Sequence, residues 1–183
     1  MPVRIEHDFL GEMEIANDVY YGTQTLRAVD NFPISGQPIS SCPELIAALG
    51  QVKKAAALAN MELGAIPAPI GQAICRACDD LIAGGFLDQF PVDCIQGGAG
   101  TSTNMNANEV IANRALEIMG HAKGEYQHLH PNQHVNMSQS TNDVYPSALK
   151  LATYVGIFRL VDALAYLRRT FERKAEEFKD VLK

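Results

Sequence analysis

An excess of basic side chains is missing from this sequence: 15 lysines and arginines face 21 aspartates and glutamates, for a net charge of −6. That balance argues against nucleic acid or an anionic membrane as partner, since either requires a basic face. A small anion stays open, because it needs only a local positive site. Also missing is any uninterrupted apolar stretch long enough to cross a bilayer. The opening Met1-Pro-Val-Arg-Ile-Glu-His-Asp8 has no apolar core of the secretory kind. Cysteine is scarce, with Cys42, Cys75, Cys78 and Cys94 in 183 residues. Four are too few for a disulfide scaffold in a chain this long, so reduced thiols in a cytoplasmic protein are expected. There is no internal repeat, no low-complexity segment and no flexible linker.

What is present reads as a soluble globular chain, 47% hydrophobic and 20% charged. Arg4 to Gly22 mixes short alternating runs with turn residues at Leu10-Gly11 and Ala16-Asn17-Asp18, which predicts a small β-hairpin. From Ser41 the pattern turns helical. Ser41-Cys-Pro-Glu44 has the spacing of a capping box, and Leu45, Leu49, Val52, Ala56 and Ala59 follow at helical steps towards a stop at Gly64. A second helix is predicted after Pro69, ending at Gly84-Gly85, and a third from about Thr101 to Met119. Phe86 to Gly100 and the histidine-rich stretch from Gly120 to Gln139 read mainly as loop. From about Asp143 to Lys183 the pattern predicts one long helix, with Pro146 tolerable in its first turn. Along it, Leu160, Leu164, Leu167, Phe171, Ala175, Phe178 and Leu182 recur at three- and four-residue steps, the seam of a bundle helix. The fold class is therefore mainly α, a helical N-terminal domain with a short β-hairpin followed by the first long helix of a bundle. The expected division is 1–139 for the N-terminal domain and 140–183 for the start of a helix-bundle domain that stops in mid-pattern.

Two segments could carry chemistry. In Gln96-Gly-Gly-Ala-Gly-Thr-Ser-Thr-Asn-Met-Asn-Ala-Asn-Glu109, glycines let the backbone approach a ligand closely, and Thr101 and Ser102 offer hydroxyls at a helix start. Ser138-Gln-Ser-Thr-Asn-Asp143 clusters small hydroxyl and amide side chains at a second helix start. Neutral donors at two helix starts suit a carboxylate, above all one that gains charge as a proton leaves the neighbouring carbon. Ordinary N-caps beside glycine turns would read the same way. His121, His128, His130 and His134 have no cysteine or carboxylate beside them at a recognised ligand spacing, so no metal is expected. Cys75-x-x-Cys78 lies in a helical pattern without a second pair and reads as two small buried thiols.

Longer blocks carry a resemblance. Gly97-Gly-Ala-Gly-Thr-Ser-Thr-Asn-Met-Asn-Ala-Asn-Glu-Val-Ile-Ala-Asn113 resembles the first conserved block of the fumarase/aspartase superfamily. His130-Pro-Asn-Gln-His-Val-Asn-Met-Ser-Gln-Ser-Thr-Asn-Asp-Val-Tyr-Pro146 resembles its second block. Arg4-Ile-Glu-His-Asp-Phe-Leu-Gly11 and Tyr20-Tyr-Gly-Thr-Gln-Thr-Leu-Arg27 are similar to its N-terminal stretch. Gly97-Gly-Ala-Gly-Thr-Ser102 and Ser140-Thr141-Asn142 lean towards the aspartase branch rather than class II fumarase.

The resemblance implies reversible anti elimination of ammonia from L-aspartate to give fumarate through an enediolate, with no cofactor. It implies Thr101, Ser140 and Thr141 as carboxylate holders and Asn142 as a ligand of the leaving amino group. It also implies a homotetramer joined through its helix bundles, with a small dicarboxylate as substrate. The family's general-base serine lies in a G-S-S-x-M-P-x-K-x-N-P loop, and neither that loop nor the intervening T-H block occurs in these residues. The 183-residue chain is therefore expected to be inactive alone. Gln133 stands where the family commonly has an acidic residue, which argues against a role for a second anion site at His130 and Asn132. Two other readings stay open: fumarase chemistry on L-malate, and a non-catalytic helical oligomerisation module.

Overall fold

The computed structural model describes residues 2–182. The chain opens with β1 (Val3–Asp8) and β2 (Gly11–Ala16), an antiparallel pair in register from Val3 opposite Ala16 to Asp8 opposite Gly11. The Asp8 carboxylate accepts from Leu10 N at 2.8 Å and closes the turn, where Gly11 takes φ +120°. A two-stranded hairpin is marginal alone, and here Arg4 of β1 fastens it to the backbone of residues 16–21. Its guanidinium donates to the carbonyls of Ala16, Val19 and Tyr21 at 2.7–3.0 Å and pairs with Glu6 at 2.7 Å.

Among the described residues five α-helices come after the hairpin: α1 (Thr23–Asn31), α2 (Pro43–Glu62), α3 (Ala68–Ile82), α4 (Thr101–Ile118) and α5 (Thr141–Glu177). The mainly α class with an N-terminal hairpin is as the sequence reads, but four details differ. Helix α1 has no counterpart in the sequence reading. The capping box at Ser41 does not form: Cys42 is the N-cap, the Ser41 hydroxyl donates to the Pro38 carbonyl at 2.7 Å, and Glu44 pairs with Arg159 instead. Helix α3 begins before Pro69, at Ala68, because proline is well suited to a first turn. Helix α5 runs from Thr141 and ends at Glu177, short of the expected Lys183, which lies outside the described residues.

Helices α2 and α3 form a hairpin over the core, closely packed because α2 carries Gly50, where a Cβ would stand 3.2 Å from the Cys78 carbonyl. Ile46, Leu49, Ile74, Leu81, Ile111 and Leu116 are fully enclosed between α2, α3 and α4. Each such side chain contributes roughly 1.5–3 kcal/mol by leaving water. Cys75 and Cys78 are buried free thiols in α3, as expected, and burial pushes the Cys78 thiol far above its ordinary range.

Helix α4 is buried almost all round, and two of its buried asparagines bind the backbone of neighbouring segments. Asn106 donates to the Gln89 carbonyl at 2.9 Å, and Asn113 donates to the Tyr20 carbonyl at 2.7 Å. Helix α5 buries only Val144 and Ala148 near its start. Its predicted seam, including Leu160, Leu164, Leu167 and Phe171, is exposed in this chain. Among the described residues no helix is long and apolar enough to cross a membrane.

Candidate active site

The two hydroxyl-rich segments open α4 and α5, and the fold sets these helix starts side by side. Gly100, the N-cap of α4, has φ +84°, and a Cβ there would collide with the Tyr145 ring of α5. Only glycine therefore allows α5 to come this close. The loop before α4 is held by Gln96, whose side chain accepts from Thr103 N at 2.8 Å and donates to Thr103 Oγ1 at 2.7 Å. This long-range cap does what no side chain at Gly100 can do. Gly98, Ala99 and Gly100 share an open cleft of about 460 Å³ with Asn142, Tyr145 and Leu149.

Of the four residues expected to bind substrate, Asn142 lines that cleft, and the other three lie at the same two helix starts. Thr101 is exposed as the first residue of α4. Ser140 is the N-cap of α5, its Oγ accepting from Asn142 N at 3.2 Å. Thr141 Oγ1 accepts from Asn104 Nδ2 of α4 at 3.1 Å. A hydroxyl that is already accepting still has its own proton to give, so Thr141 is set up as a donor.

Behind Thr141 stands a group the sequence reading passed over. Lys53 on α2 is 0% exposed, and its Nζ donates to Asn136 Oδ1 at 2.8 Å. Asn104 Nδ2 donates to the same oxygen at 3.1 Å as well as to Thr141. Lys53, Asn136, Asn104 and Thr141 thus form one polar chain across α2, α4 and α5. No carboxylate pairs with Lys53 among the described residues, and burial lowers its pKa from the ordinary 10.5 to about 7. Helical spacing could have exposed it: Leu49, Lys53, Ala57 and Asn60 fall on one buried face of α2. The lead-in to α5 is fixed by Asn136 donating to the Gln139 carbonyl at 3.3 Å and by Ser138 in the left-handed region at φ 61°.

Glu109 is the second residue without a role in the sequence reading. It is 2% exposed, and its carboxylate accepts from the backbone amides of Gly22, Gln24 and Thr25 at 2.8–3.1 Å and from the Thr25 hydroxyl at 2.6 Å. It is the N-terminal cap of α1, reached from α4 across more than 80 residues of chain. Burial pushes its pKa up to about 7, against the pull of those four donors. His130 and Asn132 lie elsewhere, beside a cavity of about 400 Å³ that also meets Glu109, Tyr126 and the hairpin. The fold also brings Glu125 beside His121 and His128, although the sequence reading places no carboxylate with these histidines.

Comparison with known proteins agrees with this architecture. A family model described as "Lyase" matches residues 11–183. The aspartate ammonia-lyase of Helicobacter pylori strain J99 is 61% identical over 99% of this chain, and that of Escherichia coli K12 is 57% identical over 99%. The chain spans 39% and 38% of the length of these two relatives. Among solved structures, a Brucella melitensis fumarate lyase:delta crystallin bound to cobalt superimposes with a TM-score of 0.94 at 55% identity, over 96% of this chain and 38% of that one. A Schistosoma mansoni class II fumarase gives 0.77 at 36% identity, over 82% and 32%. The chain belongs to the lyase family of the fumarase/aspartase superfamily.

Proposed function

We propose that the protein to which this chain belongs is an aspartate ammonia-lyase, and that residues 1–139 and 140–183 are its N-terminal domain and the opening of its helix bundle. Thr101, Ser140 and Thr141 hold one carboxylate of L-aspartate. A base removes the C3 proton, the electron pair enters that carboxylate to form the dianionic enediolate, and the C2–N bond then breaks to release ammonia and fumarate. Asn142 holds the departing amino group. No step requires a cofactor. The observation that carries this reading is the juxtaposition of the two helix starts, with Asn104 of α4 donating to Thr141 of α5. Fixed neutral donors stabilise a developing carboxylate charge better than mobile water does, because they need not reorganise.

The base belongs to sequence not contained in these 183 residues, which have no G-S-S-x-M-P segment. This chain alone therefore does not turn over aspartate. The exposed apolar seam of α5 supports assembly through bundle helices, and the reading makes the full-length protein a cytoplasmic homotetramer. The test is fumarate formation, followed by ultraviolet absorbance, with the full-length protein on L-aspartate and separately on L-malate. Fumarate from aspartate is expected, and Ser140→Ala or Thr141→Ala should lower kcat by about 10²–10³, the cost of one oxyanion donor. Fumarate from malate alone would replace this reading with fumarase chemistry.

A further inference from the structure

The segment joining α4 to the second block contains a cluster to which the lyase reading assigns no role. His121, Glu125 and His128 each place one donor atom within 4.8 Å of the other two. The two imidazoles are stacked, with ring centroids 3.9 Å apart and planes 11° from parallel. Glu125 Oε2 stands 3.5 Å from His121 Nδ1. Two imidazoles and a carboxylate, all reachable from solvent, form the donor set of a borderline divalent ion rather than of calcium or magnesium, which prefer oxygen throughout.

The backbone carrying these donors is held before any ion arrives. His121 N donates to the Leu116 carbonyl at 2.9 Å, Glu125 N to the Ala122 carbonyl at 3.3 Å and His128 N to the Glu125 carbonyl at 3.0 Å. Ala122 N donates to Glu125 Oε2 at 2.9 Å and so aims the carboxylate. Gly124, at φ +85°, donates to Asn113 Oδ1 of α4 at 2.8 Å. Lys123 reaches across to the Asn17 and Asp18 carbonyls at 2.9 and 3.1 Å. Leu129 is fully buried just beyond the cluster. With the backbone already held in place, little ordering entropy opposes binding.

We propose that His121, Glu125 and His128 form a binding site for one divalent transition-metal ion of the zinc or cobalt class, which staples the α4–α5 connection. Water completes the coordination. The test uses the full-length protein, freed of metal with a chelator, and titrates it with Zn(II) by calorimetry and with Co(II) by visible absorption. One saturable site per chain from this cluster is expected at micromolar ion, unaffected by millimolar Mg(II). His128→Ala and Glu125→Gln should each weaken that site about tenfold or more, and His7→Ala, at an exposed histidine outside the cluster, should not. Zn(II) should raise the Tm of the parent protein and leave that of His128→Ala in place. No saturation below roughly 100 μM ion, or binding equal in the parent and His128→Ala proteins, would reduce the cluster to a stacked histidine pair beside a carboxylate. Since neither readout involves turnover, failure of the lyase assay leaves this test unaffected.

Discussion

Replacing Lys53 by methionine isolates the electrostatics behind Thr141. The lysine is wholly enclosed, and its one hydrogen-bond acceptor, Asn136 Oδ1, is neutral. A displacement from 10.5 to about 7 corresponds to a penalty on the order of 5 kcal/mol for the charged form relative to water. The sign comes from proton counting. Between pH 7 and 10.5 the unfolded chain keeps the lysine proton while the folded chain has released it, so stability rises with pH through that window by up to about 1.4 kcal/mol per pH unit. Below pH 7 both states carry the proton and the full penalty applies. Methionine keeps the length of the side chain and removes the charge, and Asn104 still donates to Asn136. Lys53→Met should therefore be more stable than the parent by about 1–4 kcal/mol at pH 6, with the gap closing as pH approaches 9. Urea unfolding of the 183-residue chain at pH 6, 7, 8 and 9 measures both, and subtracting the two curves removes every other titrating group. Parallel curves, or a variant less stable at pH 6, would refute a neutral-leaning buried lysine. In the full-length protein the same substitution should still lower kcat, because Asn136, which helps fix Asn104 and through it Thr141, loses its lysine donor.

Other perturbations test single links. Glu109→Gln puts an NH2 in place of one carboxylate oxygen, facing either Gln24 N or the amides of Gly22 and Thr25; it should cost about 1–3 kcal/mol for the donors left unpaired and loosen α1 first, visible as faster hydrogen exchange over Thr23–Asn31. Gly100→Ala adds a left-handed alanine, about 1–2 kcal/mol, to a collision with Tyr145 of about 1–3 kcal/mol. A loss of under 1 kcal/mol in denaturant unfolding would mean that α4 and α5 can part freely.

Legibility in the sequence tracked the range of the interactions. The hairpin and α5 were readable because alternation, turn residues and a long apolar stripe are local signals, and the glycines before Thr101 marked the start of α4. Helix α1 was not readable because its cap comes from Glu109, far away in the chain. The Ser41 capping box failed for the converse reason. The motif was local, but the Ser41 hydroxyl found the Pro38 carbonyl and Glu44 found Arg159. Lys53 drew no attention in the sequence, standing beside Lys54, which pairs with Asp79 at the surface. What separates the two is the helical face, since only Lys53 falls in line with Leu49 and Ala57.

The same distinction explains why residue chemistry alone left ordinary N-caps open as a reading of the two segments. Each hydroxyl cluster is a local motif, and nothing local says that the two meet. Their meeting depends on three features at and before the start of α4: a glycine that lets Tyr145 approach, a glutamine that replaces the missing cap, and Asn104, which spans the gap to Thr141. Asn104 uses both amide hydrogens, one on Asn136 and one on Thr141. A change at either helix start therefore moves a hydrogen bond that the other depends on, and α4 and α5 cannot be tuned independently. Asn104 is one of a run of buried asparagines on α4, at 104, 106, 108 and 113. Such polarity would weaken a helix that served only as core, but Asn104, Asn106 and Asn113 bind groups on neighbouring segments and hold the helix in one register against them.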